Sequence, residues 1–136
     1  MTAAGVLVDS NVLLDVMTKD PRWYSWSSVA LAQAADDSLL AINPIVYAEV
    51  SIRFERIEAL EEALPPELFE RLALPWEAAF LAGKCFLAYR RGGGRKTSPL
   101  PDFYIGAHAA VANLALLTRD ATRYRTYFPK LRVLAP

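Results

Sequence analysis

Gly5-Val6-Leu7-Val8-Asp9-Ser10-Asn11 is an apolar, β-branched run that stops at an acid. A run that is apolar at successive positions suits a strand buried on both faces. The polar triplet behind it suits a strand end, with Ser10 or Asn11 capping a short helix over residues 12–17. The same alternation continues outward. Asp20-Pro21 opens a helix over 22–36, with proline at its first position. Residues 39–42 read as a second strand, and Asn43-Pro44 opens a helix from 45 to about 62 that Pro65-Pro66 breaks. Residues 72–74 form a weak third strand and 76–91 a clear helix. A small-residue helix spans 103–113, a fourth strand 115–118, a short helix 121–127 and a last strand 131–134. Strands alternating with helices make βαβ units. The expected fold class is therefore α/β: a mostly parallel sheet of four to five strands, covered by helices on both faces in three layers. The 136 residues suffice for a single domain, 1–136, with one core.

The composition, 54% hydrophobic and 22% charged, excludes a disordered chain. Net charge is zero, so global charge draws the protein to no polyanion. Its distribution is uneven: residues 1–89 carry 6 Lys/Arg against 13 Asp/Glu, and residues 90–136 carry 9 against 2. That asymmetry points to a polyanionic partner unless folding interleaves the two halves. The single cysteine, Cys85, forms no intrachain disulfide and suits the cytoplasm; its apolar helical neighbours suggest a buried, inert thiol. No apolar run reaches the roughly 18 residues that span a bilayer, so no membrane role is expected. The start of the chain does not read as a signal peptide. One histidine and one cysteine exclude a structural zinc site.

The acids carry the chemistry. Asp9 directly follows the first strand, and Asp120 follows the fourth by one residue, so both project at the same end of the sheet. Ligands of such sheets bind beyond the carboxyl ends of the strands. Asp102 opens the helix that leads into the fourth strand, and Glu49 lies about one turn into the helix after the second. Each acid alone reads equally well as a cap, a turn former or a solvated charge. Together they bring three Asp and one Glu to one rim. Crowded carboxylates raise one another's pKa, and a hard divalent cation such as Mg²⁺ relieves them. A cation so held can activate water and stabilise a leaving oxygen, the services that hydrolysis of a phosphodiester needs.

The same residues carry a family resemblance. Val8-Asp9-Ser10-Asn11 resembles the opening strand and D-[ST]-N motif of PIN domains, and Ala48-Glu49-Val50 the acidic position of their third helical segment. Pro101-Asp102-Phe103-Tyr104-Ile105-Gly106-Ala107-His108-Ala109 is similar to their central D-x-x-I-[AG]-A-x-A pattern. Leu117-Thr118-Arg119-Asp120 matches the late L-x-T-x-[DN] signature, and the trailing residues 127–133 resemble the usual end. Order and spacing agree across nearly the whole chain. The resemblance implies an Mg²⁺ or Mn²⁺ site built from Asp9, Glu49, Asp102 and Asp120. It also implies that Ser10, Asn11 and Thr118 orient those carboxylates or a metal water by hydrogen bonds. Short bacterial members of the family are mostly VapC toxins. The expected activity is thus an endoribonuclease on structured RNA such as tRNA or rRNA, leaving 5′-phosphate and 3′-hydroxyl ends. A small antitoxin protein would hold it inactive, and a homodimer is expected. Phe103 and Tyr104 are larger than the family's usual residues after the central Asp, and the basic insertion at 92–98 is long; both bear on substrate choice and remove no acid.

Among the basic residues, Arg119 and Arg123 near the acidic rim are candidates for RNA-backbone contacts, as are Arg95 and Lys96 in the loop that follows Gly92-Gly93-Gly94. That loop reads as mobile or simply solvated. It lacks the spacing and the Lys-Ser/Thr of a Walker phosphate loop. His108 lies six positions from Asp102, roughly 240° around a helix, and so reads as packing or hydrogen bonding rather than catalysis. Trp23, Tyr24 and Trp26 crowd one early helix, and one of them exceeds what core packing needs. Two alternatives stand beside the nuclease. One is a module of the same fold that binds RNA without cutting it, against which the full set of acids speaks. The other is a phosphotransfer protein. Asp9-Ser10-Asn11 lacks the Asp-x-Asp of haloacid-dehalogenase-type phosphatases, and Leu134-Ala135-Pro136 lacks the lysine that receivers carry after the last strand.

Overall fold

The computed structural model describes residues 5–136; the first four residues of the expected single domain lie outside the described ones. Val6–Val8 (β1) is buried on both faces, as its composition requires. Beside it lie Leu40–Ile42 (β2) and Ala115–Leu117 (β4), and outside those Phe69–Arg71 (β3) and Val133–Leu134 (β5). Among the described residues these five strands form one sheet in the order β3-β2-β1-β4-β5, parallel at each pairing. Register sets Val6 against Leu40 and Val8 against Leu117.

The connections are helical: α1 (Ser10–Met17), α2 (Tyr24–Asp37), α3 (Pro44–Ser51), α4 (Ile57–Ala63), α5 (Trp76–Arg91), α6 (Pro101–Val111) and α7 (Thr122–Tyr127). Crossovers from β1 to β2 and β2 to β3 step one way along the sheet, while β3 to β4 and β4 to β5 step the other. Right-handed crossovers therefore put α1–α4 on one face and α5–α7 on the other. The helix contacts agree, joining α1 to α2 and α3, and α6 to α5 and α7. This is the three-layer α/β/α arrangement the sequence implies. The two layers also touch where Asn43, just past β2, meets His108 of α6 at 3.0 Å.

Element boundaries differ from expectation for physical reasons. The helix expected over 45–62 is two helices, α3 and α4, with a turn between. Val46 and Val50 are buried in the first and Leu60 in the second, followed by Leu64 at its end. The turn at 52–56 separates the two helices and leaves Ile52 83% exposed. The third strand lies at 69–71, not 72–74, because pairing with β2 selects it: Leu40 faces Phe69 and Ile42 faces Arg71. As an edge strand it buries Phe69 and exposes Glu70 and Arg71, so no apolar run marks it. Asp9, rather than Ser10 or Asn11, caps α1, its Oδ1 accepting from the Ser10 N–H at 2.7 Å. Asp20 accepts from the N–H groups of Arg22 and Trp23 in a turn, so α2 begins at Tyr24 instead of Arg22. The glycine loop is tethered. Arg90 donates to the carbonyls of Gly94 and Lys96, and the Lys96 N–H reaches the Tyr89 hydroxyl at 3.4 Å.

Gly106 of α6 lies against the buried ring of Phe128, which a Cβ at 106 would overlap. The motif it belongs to admits alanine or glycine, but here Phe128 leaves no room. Gly106→Ala should destabilise the fold by about 1–3 kcal/mol, the usual range for overpacking. Urea unfolding measures this, and an unchanged midpoint would show that the ring gives way.

Candidate active site

Strand order reverses between β1 and β4, which opens a crevice at their carboxyl ends. Asp9 and Asp120 emerge there. Asp102 comes from the first turn of α6, and Glu49 from α3. All four, with Ser10, Asn11, Arg123 and Tyr127 among their neighbours, line one cavity of about 670 Å³. The four acids that the sequence nominates are thus brought to a single hollow.

Asp9 is 3% exposed and in reach of donors on Ser10, Thr118 and Tyr124. Its Oδ1 accepts from the Ser10 N–H, and its Oδ2 lies 2.9 Å from the Thr118 hydroxyl and 2.9 Å from the Tyr124 hydroxyl. Thr118 is held in turn by the Asn11 amide at 3.1 Å and the Asp120 N–H at 3.2 Å. Asn11 Oδ1 accepts from the Arg119 N–H at 3.2 Å. Ser10 donates to Glu49 Oε1 at 2.9 Å. Ser10 and Thr118 therefore bond acid side chains directly, and Asn11 bonds Thr118. Asp102 is reached by the Tyr124 hydroxyl at 3.2 Å and by Arg123 Nη1 at 3.5 Å. Asp120 is exposed, and its Oδ1 accepts from the Thr122 N–H at 3.3 Å.

The electrostatics follow from burial and crowding. Burial pushes the Asp9 carboxyl above its usual range, and Asp102 adds to the shift, against the lowering effect of Thr118, Tyr124 and Ser10. Burial also raises Glu49, with Asp9 and Asp102 adding and Ser10 opposing. Burial and the same two aspartates drive the Tyr124 phenol far up, so it stays a neutral donor. Oxygen donors, an open cavity and the lack of a lining thiolate or imidazole fit a hard divalent cation. Among the described residues no three acids stand close enough to form a finished cage. Mg²⁺ needs none, since it binds through one or two carboxylates and keeps several waters.

The basic residues divide. Arg123 lines the cavity; Arg119, Arg95 and Lys96 do not. Arg119 Nε donates to both oxygens of the buried Asp15, at 2.9 and 3.2 Å, and its guanidinium lies over Trp23. Arg95 and Lys96 are exposed in the 92–98 loop. His108 is buried and kept neutral by burial; Asn43 spends its oxygen on the Val46 N–H and so donates its amide to His108 Nδ1. The pair braces the start of α3, and with it Glu49. Sequence reasoning misses Asp15 and Tyr124. Asp15 carries no motif. Tyr124 lies about one helical turn beyond Asp120, a faint signal that an aromatic on a short helix otherwise hides.

The sequence profile of the PIN domain matches residues 6–129. The chain belongs to the PIN domain family. No curated protein matches it. Solved structures similar to this PIN domain include VapBC2 from Rickettsia felis bound to a promoter DNA fragment, at 20% identity and a TM-score of 0.71 over 96% of this chain and 98% of that one. VapBC-1 from nontypeable Haemophilus influenzae is similar at 19% identity and 0.71, over 96% of each chain. DNA-bound VapBC from Salmonella typhimurium is similar at 16% and 0.70, over 99% and 98%. At such identities these likenesses establish the fold. Within it, no helix of the described residues is long and apolar enough to cross a membrane.

The raised carboxyls set a pH dependence for this PIN domain without added cation. Folded Asp9 and Glu49 hold protons more tightly than the unfolded chain does. Stability therefore falls as pH rises from their ordinary values, 3.8 and 4.5, through the raised ones. Thermal melts in EDTA should show this fall, and Asp9→Asn should flatten it and melt higher near neutral pH. A fall equally steep in the variant would remove Asp9 as its source.

Proposed function

We propose that this PIN domain is an Mg²⁺- or Mn²⁺-dependent endoribonuclease that hydrolyses phosphodiester bonds of structured RNA such as tRNA or rRNA, and that it is the toxin of a VapBC-type pair. The observation that carries this reading is the convergence of Asp9, Glu49, Asp102 and Asp120 on one open cavity at the switch point of the sheet. A divalent cation bound there supplies Lewis acidity, which makes water nucleophilic near neutral pH and offsets charge on the leaving oxygen. Asp9, Glu49, Asp102 and Asp120 would hold it, one or two directly and the others through its waters. Ser10, Asn11 and Thr118 keep the acid oxygens aimed, and the buried β1 and β4 ends keep Asp9 and Thr118 from drifting. Arg123 at the cavity, with Arg95 and Lys96 on the loop that feeds α6, supplies positive charge for the RNA backbone. Arg119 contributes through the terminal nitrogens that its bond to Asp15 leaves over.

The partner is a small antitoxin, a reading supported by structural neighbours whose descriptions are of VapBC complexes. A homodimer in the cytoplasm completes the proposal. Apolar surface for a protein partner exists on α5, where Trp76 and Phe80, one turn apart, are 89% and 68% exposed. The full acid set favours catalysis over an RNA-binding module that does not cut.

Purified protein should cleave RNA with Mg²⁺ or Mn²⁺, stop in EDTA and leave 5′-phosphate ends, and Asp9→Asn or Asp102→Asn should lower the rate by more than about 100-fold. Cyclic 2′,3′-phosphate products formed in EDTA would sink the mechanism. Arg95→Ala with Lys96→Ala should weaken RNA binding and flatten the plot of log affinity against log salt by about 1.4, the share of two phosphate contacts on a single strand. An unchanged slope would remove both residues from the interface.

A further inference from the structure

We infer that Tyr124 is a positioning residue that holds Asp9 and Asp102 together for the cation, an inference that rests on the proposed metal-dependent function. Its ring is 1% exposed, and its hydroxyl stands 2.9 Å from Asp9 Oδ2 and 3.2 Å from Asp102 Oδ1. The two acids belong to different parts of the fold. Asp9 ends the central strand, and Asp102 opens a helix of the α5–α7 layer. Ionised, they repel one another. The phenol has one proton and two acceptors, so it donates to one at a time and the pair shares it.

The two acids depend on this hydroxyl unequally. Without it, Asp9 keeps the Ser10 N–H and the Thr118 hydroxyl, both within 2.9 Å. Among the described residues Asp102 then keeps only Arg123, at 3.5 Å, with both side chains partly exposed. The hydroxyl thus chiefly positions Asp102, and Tyr124→Phe should loosen that acid while the ring still packs. Because α7 also carries Arg123, this one short helix supplies both groups that reach Asp102 among the described residues.

Isothermal titration of the full chain with Mn²⁺ tests this. Wild type should bind, and Tyr124→Phe should bind about 10- to 100-fold more weakly, the usual cost of losing a hydrogen bond that orients a metal ligand. In EDTA the variant should still melt cooperatively, which separates lost positioning from lost packing. Equal Mn²⁺ affinity in the two proteins overturns the role of Tyr124 and leaves the metal reading standing. No binding by wild type overturns the metal reading and this inference with it. If Tyr124→Phe fails to fold, fluorine NMR of fluorotyrosine-labelled protein decides. Tyr127→Phe removes the tyrosine that lines the cavity, and Mg²⁺ should then shift one buried tyrosine resonance, that of Tyr124. A spectrum unmoved by Mg²⁺ overturns the inference.

Discussion

Asp9 is a carboxylate almost wholly removed from water, at the end of a strand with apolar neighbours on both sides. Burying a charge is costly unless hydrogen bonds offset it, and each donor that answers Asp9 comes from a different element. Ser10 comes from α1, Thr118 from the end of β4 and Tyr124 from α7. The parallel pairing of β1 with β4 brings Thr118 there, because Val8 sits opposite Leu117. The short connection after β4 then turns Tyr124 back over the same carboxylate. The demand of one buried acid thus ties together the central strand, its neighbour and the helix between β4 and β5.

A second buried acid plays a different part. Asp15 is 2% exposed and is answered by Ser27 of α2 at 2.7 Å and by Arg119. Arg22 and Arg119 both place their guanidinium groups over Trp23, at 5.3 and 5.6 Å. This cluster locks α1 to α2 and to the loop that carries Asp120. Asp15 lines no part of the acidic cavity, and its charge is matched by Arg119. Asp9, by contrast, has neutral donors and acidic neighbours. That difference in company, rather than burial, separates an acid that braces the fold from one suited to a cation.

The strand alternation, the layer count and the four acids at the rim were legible in the chain, because each is a local matter. A run such as Val6-Leu7-Val8 must be buried, and the residue after a strand must emerge at its end. The profile match then agrees with motifs read one at a time. Less legible were the break at 52–56, the strand at 69–71 and the tethering of the glycine loop. Each depends on partners outside the segment: the packing of α3 and α4 on the core, the register of β2, and the ring of Tyr89 under Gly94.

Composition and order along the chain determined the fold class and the end of the sheet where the four acids gather, since backbone periodicity and covalent sequence carry that information. The motif at 117–120 already pointed to Thr118, but tertiary structure alone decided which acid it meets and what else answers those acids. Tyr124 reaches Asp9 across 115 residues of chain, Thr118 reaches it across 109, and Arg119 turns to Asp15 rather than to the cavity. Such contacts are fixed by strand register and helix packing, which no local pattern encodes.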